Sequence, residues 1–217
     1  MQGLIEQERF ELEVLERLNS GRFFRSLIFG GGTMLRLCHG LERFSVDLDF
    51  WLVRPQEAQS LFTALQIHLS RFYQLKDAAD KFHTILFELR SPAYPRSLKI
   101  EIRKEVKKIQ TEQAIAFSPL STRQVLLHTV SLRDMMSSKI AAFLDRGEIR
   151  DVFDMEFLVR KGIRPEGEPE IFKEILNGID ALSPKDYSVK LGSLLPAERR
   201  SYYQQKNFVI LKAAIEK

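Results

Sequence analysis

The sequence predicts an α+β protein: a mixed sheet with flanking helices over residues 1–130, followed by a C-terminal helical bundle over residues 131–217. Three observations predict it. Up to about Val130 the chain is rich in short segments that alternate apolar and polar side chains, the period of a half-buried strand. After Val130 the apolar residues recur at helical spacing instead. Between Leu27 and Leu52 an apolar run, a glycine turn and a second apolar run with two aspartates follow one another, which needs a sheet to carry it.

The elements follow in order. Leu4 to Leu18 sets Leu4, Ile5, Phe10, Leu12, Val14, Leu15 and Leu18 among glutamates, an amphipathic helix stopped at Asn19-Ser20-Gly21. Leu27-Ile28-Phe29 reads as a short buried strand, and Thr33 to Cys38 as a short helix. Leu41 to Ser45 leads into the strand Val46 to Leu52. Pro55 opens a helix that runs to about Phe72, since proline suits the first turn. Tyr73–Ala78 is a weak strand signal, whereas Phe82–Leu89 and Leu98–Arg103 alternate well. Ser91 to Pro95 turns between them. Arg103 to Lys108 is a basic run, and Ala114–Phe117 and Gln124–Thr129 are short strands. Ser131 caps a helix that ends at Gly147, and a second helix spans Arg150 to Arg160. After the loop 162–169, helices are expected near Glu170–Leu176, Pro184–Leu191 and Tyr202–Ile215.

The chemistry concentrates in FGGGTMLRLCHGLERFSVDLDFWL, residues 29–52. Residues two apart on a strand share a face. Val46, Leu48, Phe50 and Leu52 therefore point to the core, and Asp47 and Asp49 to the other face, with Arg43 and Ser45 if the strand extends that far. Two adjacent carboxylates repel and resist burial, a penalty that a divalent cation reverses. Upstream, Gly31 and Gly32 let the backbone approach a ligand, and the N–H groups of Gly32 and Thr33 open a helix, where anions bind. A phosphate cradle followed by a two-carboxylate strand is what metal-assisted phosphoryl or nucleotidyl transfer needs. Lys99, Glu101 and Arg103 share a polar strand face, and Glu88 shares one with Thr84 and Leu86.

Composition sets bounds. Of 217 residues, 44% are hydrophobic and 29% charged, ordinary for a globular chain. No apolar run approaches the roughly 20 residues of a membrane helix. The acidic N-terminal stretch is not a signal peptide, and the lone Cys38 suits a reducing compartment, so a cytoplasmic setting is expected. His39, His68, His83 and His128 are scattered, without zinc spacing. The net charge is +4. Lys190, Arg199, Arg200, Lys206, Lys212 and Lys217 against Glu198 and Glu216 give the last stretch a basic character that suits RNA phosphates or simply a solvated helix face.

Gly31-Gly32-Thr33 followed by Arg43-Phe44-Ser45-Val46-Asp47-Leu48-Asp49-Phe50 resembles the signature of the AbiEii/AbiGii-type, MenT-like nucleotidyltransferase toxins, within the DNA polymerase β-like superfamily. The resemblance continues in Lys139 on one helix and Arg150-Asp151-Val152-Phe153-Asp154 opening the next. It implies a polymerase β-like core with one or two Mg²⁺ ions on Asp47, Asp49 and a third carboxylate, Glu101 rather than Glu88. It implies an NTP held by Gly31, Gly32, Thr33, Arg43 and Ser45, with Lys139, Arg150 and Asp151 assisting. Lys139 and Asp154 join the two strand aspartates as expected catalytic residues. Asp151 and Asp154 share a helix face and can orient Lys139 or an acceptor hydroxyl. The plain alternative is a capping aspartate ion-paired to Arg146 or Arg150.

The implied activity is transfer of NMP from an NTP to an acceptor hydroxyl with release of pyrophosphate, the acceptor being the 3′ end of tRNA. The setting is a toxin–antitoxin or phage-defence system whose winged-helix antitoxin is a separate chain. A small-molecule nucleotidyltransferase would want an acidic acceptor pocket. A non-catalytic RNA- or protein-binding module on the same fold would have no use for the intact Asp47, Asp49 and Lys139, and transfer to protein is a further variant of the chemistry.

Overall fold

The structure is a computed structural model that describes residues 2–105 and 108–216. Val106 and Lys107 of the basic run, and Lys217 of the basic tail, lie outside the described residues. Contacts divide the chain into two units, Met1–Gly40 with Phe44–Val130, and Leu41–Arg43 with Ser131–Lys217.

In the first unit, seven strands among the described residues form one mixed sheet: β1 (Leu27–Gly30), β2 (Asp47–Leu52), β3 (Gln74–Asp80), β4 (Thr84–Arg90), β5 (Leu98–Arg103), β6 (Thr111–Phe117) and β7 (Gln124–Val130). Their order is β3-β4-β5-β2-β1-β7-β6. The β1–β7 and β2–β5 pairs are parallel and the others antiparallel. Alternation decides the faces. Leu48, Phe50, Ile85, Phe87, Leu89, Leu98, Ile100 and Ile102 are buried on one side. Phe29 and Phe50 meet there at 5.2 Å. Helix α1 (Gln2–Ser20) packs on β5 and β7, and α3 (Ala58–Leu69) on β3. Phe10 of α1 stacks on Tyr94 at 4.5 Å, and Phe62 of α3 on Phe87 at 5.3 Å. The opposite face carries Asp47, Asp49, Lys99, Glu101 and Arg103.

Local chemistry moves several boundaries. Helix α2 spans Gly31–His39, two residues earlier than Thr33, because Gly30 is extended (φ −146°) and serves as its N-cap. Gly40, at φ +80°, ends it and donates its N–H to Arg36 and Leu35 carbonyls. Pro55 opens a 3₁₀ turn, Pro55–Glu57, and α3 stops at Leu69 rather than near Phe72. The weakly patterned 74–80 segment is a full edge strand, held by its pairing to β4.

In the second unit, α4 (Leu132–Arg146) starts at Ser131, whose Oγ accepts the Asp134 N–H at 3.2 Å, and ends at the left-handed Gly147. Helices α5 (Ile149–Arg160) and α6 (Pro169–Asp180) follow, then a π-helical turn at Asp186–Leu191. The single helix expected over Tyr202–Ile215 is two, α7 (Ala197–Lys206) and α8 (Val209–Ile215). Asn207 and Phe208 break it with φ of +45° and +54°. The break buries Phe208 completely, 5.3 Å from the Tyr203 ring and 5.8 Å from that of Tyr187. Glu156 of α5, fully buried, accepts the Leu211 N–H in the first turn of α8 at 3.2 Å.

Candidate active site

Strand register places the acidic side chains. Asp47 pairs with Lys99, Asp49 with Glu101 and Trp51 with Arg103, so three rows of polar groups cross β2 and β5 on the open face. Asp47 and Asp49 are half-buried and Glu101 is exposed. On the other side of β2, Gly30 of β1 pairs with Asp49. A Cβ at Gly30 would overlap the Trp51 ring, and one at Gly31 would overlap Asp49 Oδ2. Gly31 also has φ +75°, so it is glycine for both reasons. The missing side chain at Gly31 brings the first turn of α2, where a helix's N–H groups lack intrahelical partners, against the Asp49 carboxylate. Thr33 is fully buried and its hydroxyl donates to the Asp47 carbonyl at 2.6 Å. That bond ties α2 to β2.

Behind the turn lies a buried polar layer that the sequence pattern does not reveal. Glu8 and Glu11 sit on the buried side of α1, not among its solvated glutamates. Glu8 accepts hydrogen bonds from Arg36 Nε and Ser118 Oγ. The Arg36 guanidinium lies 3.8 Å from the Phe44 ring. Arg36 therefore links α1, α2 and the segment entering β2. Glu11 has no hydrogen-bond partner for either oxygen among the described residues. Burial pushes its carboxyl well above the usual range, Glu8 and Asp47 push the same way, and Arg36 opposes them.

The second unit holds a compact charge cluster. Arg43 clamps Asp154 through two hydrogen bonds of 2.7 Å. Lys139 Nζ lies 2.7 Å from Asp154 and 3.1 Å from Asp151. Arg146 grips Asp151 with two bonds of 2.8 Å. Both aspartates are fully buried, and Arg43 and Lys139 nearly so. Burial alone would raise the Asp154 carboxyl, but Arg43 and Lys139 outweigh it and hold it below the ordinary value. Three cations face two carboxylates, so the cluster keeps a net positive charge.

A family profile described as nucleotidyl transferase AbiEii toxin, type IV toxin–antitoxin system, matches residues 13–202. The chain belongs to the AbiEii nucleotidyltransferase toxin family. Solved structures agree in fold. JHP933 from Helicobacter pylori is 20% identical with a TM-score of 0.59, covering 96% of this chain and 93% of its own. A putative nucleotidyltransferase from H. pylori is 18% identical at 0.59, with 96% of each chain covered. MenT4, the nucleotidyltransferase toxin Rv2826c of Mycobacterium tuberculosis H37Rv, is 15% identical at 0.56, covering 94% of this chain and 85% of its own. No curated protein matches. The α+β class, the AbiEii-type resemblance and nucleotidyltransferase activity expected from the sequence all hold.

Enzymes of the AbiEii family use a divalent metal. Among the described residues no three His, Cys, Asp or Glu side chains stand together as a closed metal site. The residues present fit a more open arrangement. Asp47 and Asp49 are hard oxygen donors on one face, next to a cradle that a Cβ at Gly31 would fill. Mg²⁺ takes such a pair and completes its shell with water and substrate phosphates.

The site residues expected from the sequence fall into both units. Asp47, Asp49, Gly31, Gly32, Thr33, Ser45 and Glu101 belong to the first, and Arg43, Lys139, Arg150, Asp151 and Asp154 to the second. Strand β2 begins at Asp47, so Arg43 and Ser45 are not part of it. Glu88 lies one strand beyond Glu101 and takes a hydrogen bond from Lys76 at 3.0 Å. That bond and another from Ser97 hold its carboxyl below the usual value. Trp51 is nearly buried, with Arg103 5.3 Å over its ring, so it packs beside the acidic rows. Arg150 makes no ion pair among the described residues, while Arg146 takes the role beside Asp151. Its signal was present in the sequence: a left-handed Gly147 turns the chain so that residues five apart face each other. Part of the basic tail is ion-paired. Lys190 pairs with Asp186, Arg199 with Glu42 and Lys212 with Asp180, and Arg200 donates to the Leu195 carbonyl. No helix is long and apolar enough to cross a membrane.

Proposed function

We infer that this chain moves an NMP from a Mg²⁺-bound NTP to the terminal 3′ hydroxyl of an RNA, tRNA being the acceptor to test first, in the cytoplasm and as the toxin partner of a separately encoded winged-helix antitoxin. The observation that carries the reading is the acidic face: Asp47 and Asp49 on one side of β2, Glu101 in register with Asp49, and the glycine turn of α2 against Asp49. Asp47 and Asp49 hold the metal, with Glu101 from β5 as the third carboxylate. Bound Mg²⁺ neutralises phosphate charge and eases ionisation of the attacking hydroxyl. The backbone N–H groups of Gly31, Gly32 and Thr33 hold phosphate oxygens, and the Ser45 hydroxyl adds a donor. The acceptor oxygen bonds to the α-phosphorus, the α–β anhydride bond breaks, and pyrophosphate leaves. In the second unit, Lys139, positioned by Asp151 and Asp154, and Arg150 are the residues expected to assist, and Arg43 of the first motif clamps Asp154.

The test is incubation of purified protein with Mg²⁺, total tRNA and each α-labelled NTP in turn. Label entering RNA from one preferred NTP is expected, and Asp47→Ala/Asp49→Ala should abolish it. Full activity in that variant would refute the assignment. Label that enters protein or a small molecule instead would keep the chemistry and replace the acceptor.

A further inference from the structure

The sheet face that carries Asp47 and Asp49 extends beyond β1. Ile28 pairs with Trp51 one pleat repeat from the Gly30–Asp49 pair, and Phe29 pairs with Thr129 of β7 on the core side. Leu126 and His128 therefore emerge on the acidic face, beside Ile28. A groove of about 660 Å³ lies over them, bordered by Arg22, Phe24, Arg25 and Val53. It starts about 7 Å along the strands from Asp49, two residues of strand rise.

The groove combines three kinds of group. Its apolar lining is open: Leu126 is 58% exposed and Val53, at the border, 42%. Contiguous exposed apolar surface beside a polar rim marks an interaction site. Its rim holds Arg22 and Arg25, both exposed, and neither makes an ion pair or side-chain hydrogen bond among the described residues. They contrast with the tail arginines and lysines, which are mostly paired. Arg22 also stands at φ +60°, ψ +24°, a conformation that costs a residue with a side chain about 1–2 kcal/mol and that glycine or asparagine adopts more cheaply. Asn19, Thr111 and Gln113 add neutral donors and acceptors. Among the described residues, no aspartate or glutamate lines the groove. A cationic small-molecule acceptor would need acids there, and a metal–triphosphate would need carboxylates and free helix N–H groups. A polyanion with flat apolar bases matches what is present.

We propose that this groove binds the single-stranded 3′-terminal stretch of the acceptor RNA, with phosphates on Arg22 and Arg25 and bases against Ile28 and Leu126. The proposal rests on the nucleotidyl-transfer reading above and assigns the acceptor's path to residues outside the family motifs. Its test separates the two. The full-length protein is titrated into a short 5′-fluorescein-labelled single-stranded RNA without NTP, read by anisotropy at several salt concentrations. Arg22→Glu/Arg25→Glu should weaken binding at least tenfold, and Arg22→Gln/Arg25→Gln should lower the slope of log K against log salt by about 1.4, two phosphate contacts on a single strand. Leu126→Asp should weaken binding without changing that slope by as much, and Lys173→Glu, on α6, should change neither. Label-transfer assays should show a raised KM for RNA and an unchanged KM for NTP in the arginine variants, whose melting temperatures should match the parent. RNA binding that the arginine and Leu126 variants leave unchanged overturns the groove assignment, whether or not label transfer occurs. Groove-dependent RNA binding with no transfer to any RNA keeps the groove and defeats the activity reading.

Discussion

Glu11 is the residue most at odds with its surroundings. Its carboxyl is fully buried and its oxygens have no partner among the described residues, with Glu8, Arg36 and Asp47 as the charged groups around it. Its folded-state pKa is raised above the ordinary 4.5. The native protein therefore holds a proton that the unfolded chain has lost, and stability falls as pH rises from about 4.5 towards the raised folded value. Glu11→Leu removes that term. It should stabilise the protein by about 1–3 kcal/mol near neutral pH and by less in acid. Denaturant melts of both proteins across that range check it, and an equal difference at every pH would show that Glu11 does not titrate as argued. Gly31 gives a second single-residue test. Gly31 and Gly162 both have positive φ, +75° and +85°, but only a Cβ at Gly31 meets another group, the Asp49 carboxylate. Gly31→Ala should abolish label transfer while Gly162→Ala, with the same backbone strain and open space, keeps it. Equal loss in the two would assign the effect to strain alone.

At the scale of elements, the α4–α5 pair is held by buried charge. Removing one member of such a cluster leaves its partner uncompensated. Arg43→Met, which strands Asp154 with Lys139 alone, should cost about 3–5 kcal/mol, and Arg43→Met/Asp154→Leu should recover part of it. No recovery in the double variant would mean that the Arg43 side chain matters through packing. The acid side has a definite sign. Asp154 is held below its ordinary 3.8, so its contribution is present above that pH and is lost as pH falls through the lower folded value. Asp154→Asn should flatten the acid limb of the stability profile. These elements also show what a sequence discloses. The D-x-D strand, its alternation and the Ser131–Gly147 caps were legible because each depends on a local period or a single cap residue. Strand β3 was faint because its segment, Gln74 to Asp80, is an edge whose pairing with β4 supplies what its pattern lacks. The break at Asn207–Phe208 was illegible because a buried phenylalanine in a left-handed conformation is a tertiary outcome. The buried pairing of Glu8 was illegible because its partners, Arg36 and Ser118, lie 28 and 110 residues away in sequence.

For the whole molecule, the acidic face ties ligand binding to stability. Asp47 and Asp49 sit together on one face of a central strand, beside the glycine turn. Asp47→Asn/Asp49→Asn keeps the size of both side chains, so the variant without ligands should still unfold cooperatively. The parent, in turn, should gain stability from Mg²⁺ with NTP by mass action. At a hundred times Kd the gain is about 2.7 kcal/mol, or about 5–10 °C in Tm for a chain of this size. The double asparagine variant should lose that gain together with label transfer, and EDTA should erase it in the parent. A cooperative melt and the loss of that gain must appear together. A variant that melts low without ligand has lost structure, and its inactivity would say nothing about metal binding. A variant that melts high yet still shifts with Mg²⁺–NTP would place the cation on other residues and overturn the assignment to Asp47 and Asp49. If the two units melt separately, the ligand shift belongs to the transition of the unit that holds the sheet, which calorimetry resolves by following each transition as Mg²⁺–NTP is added.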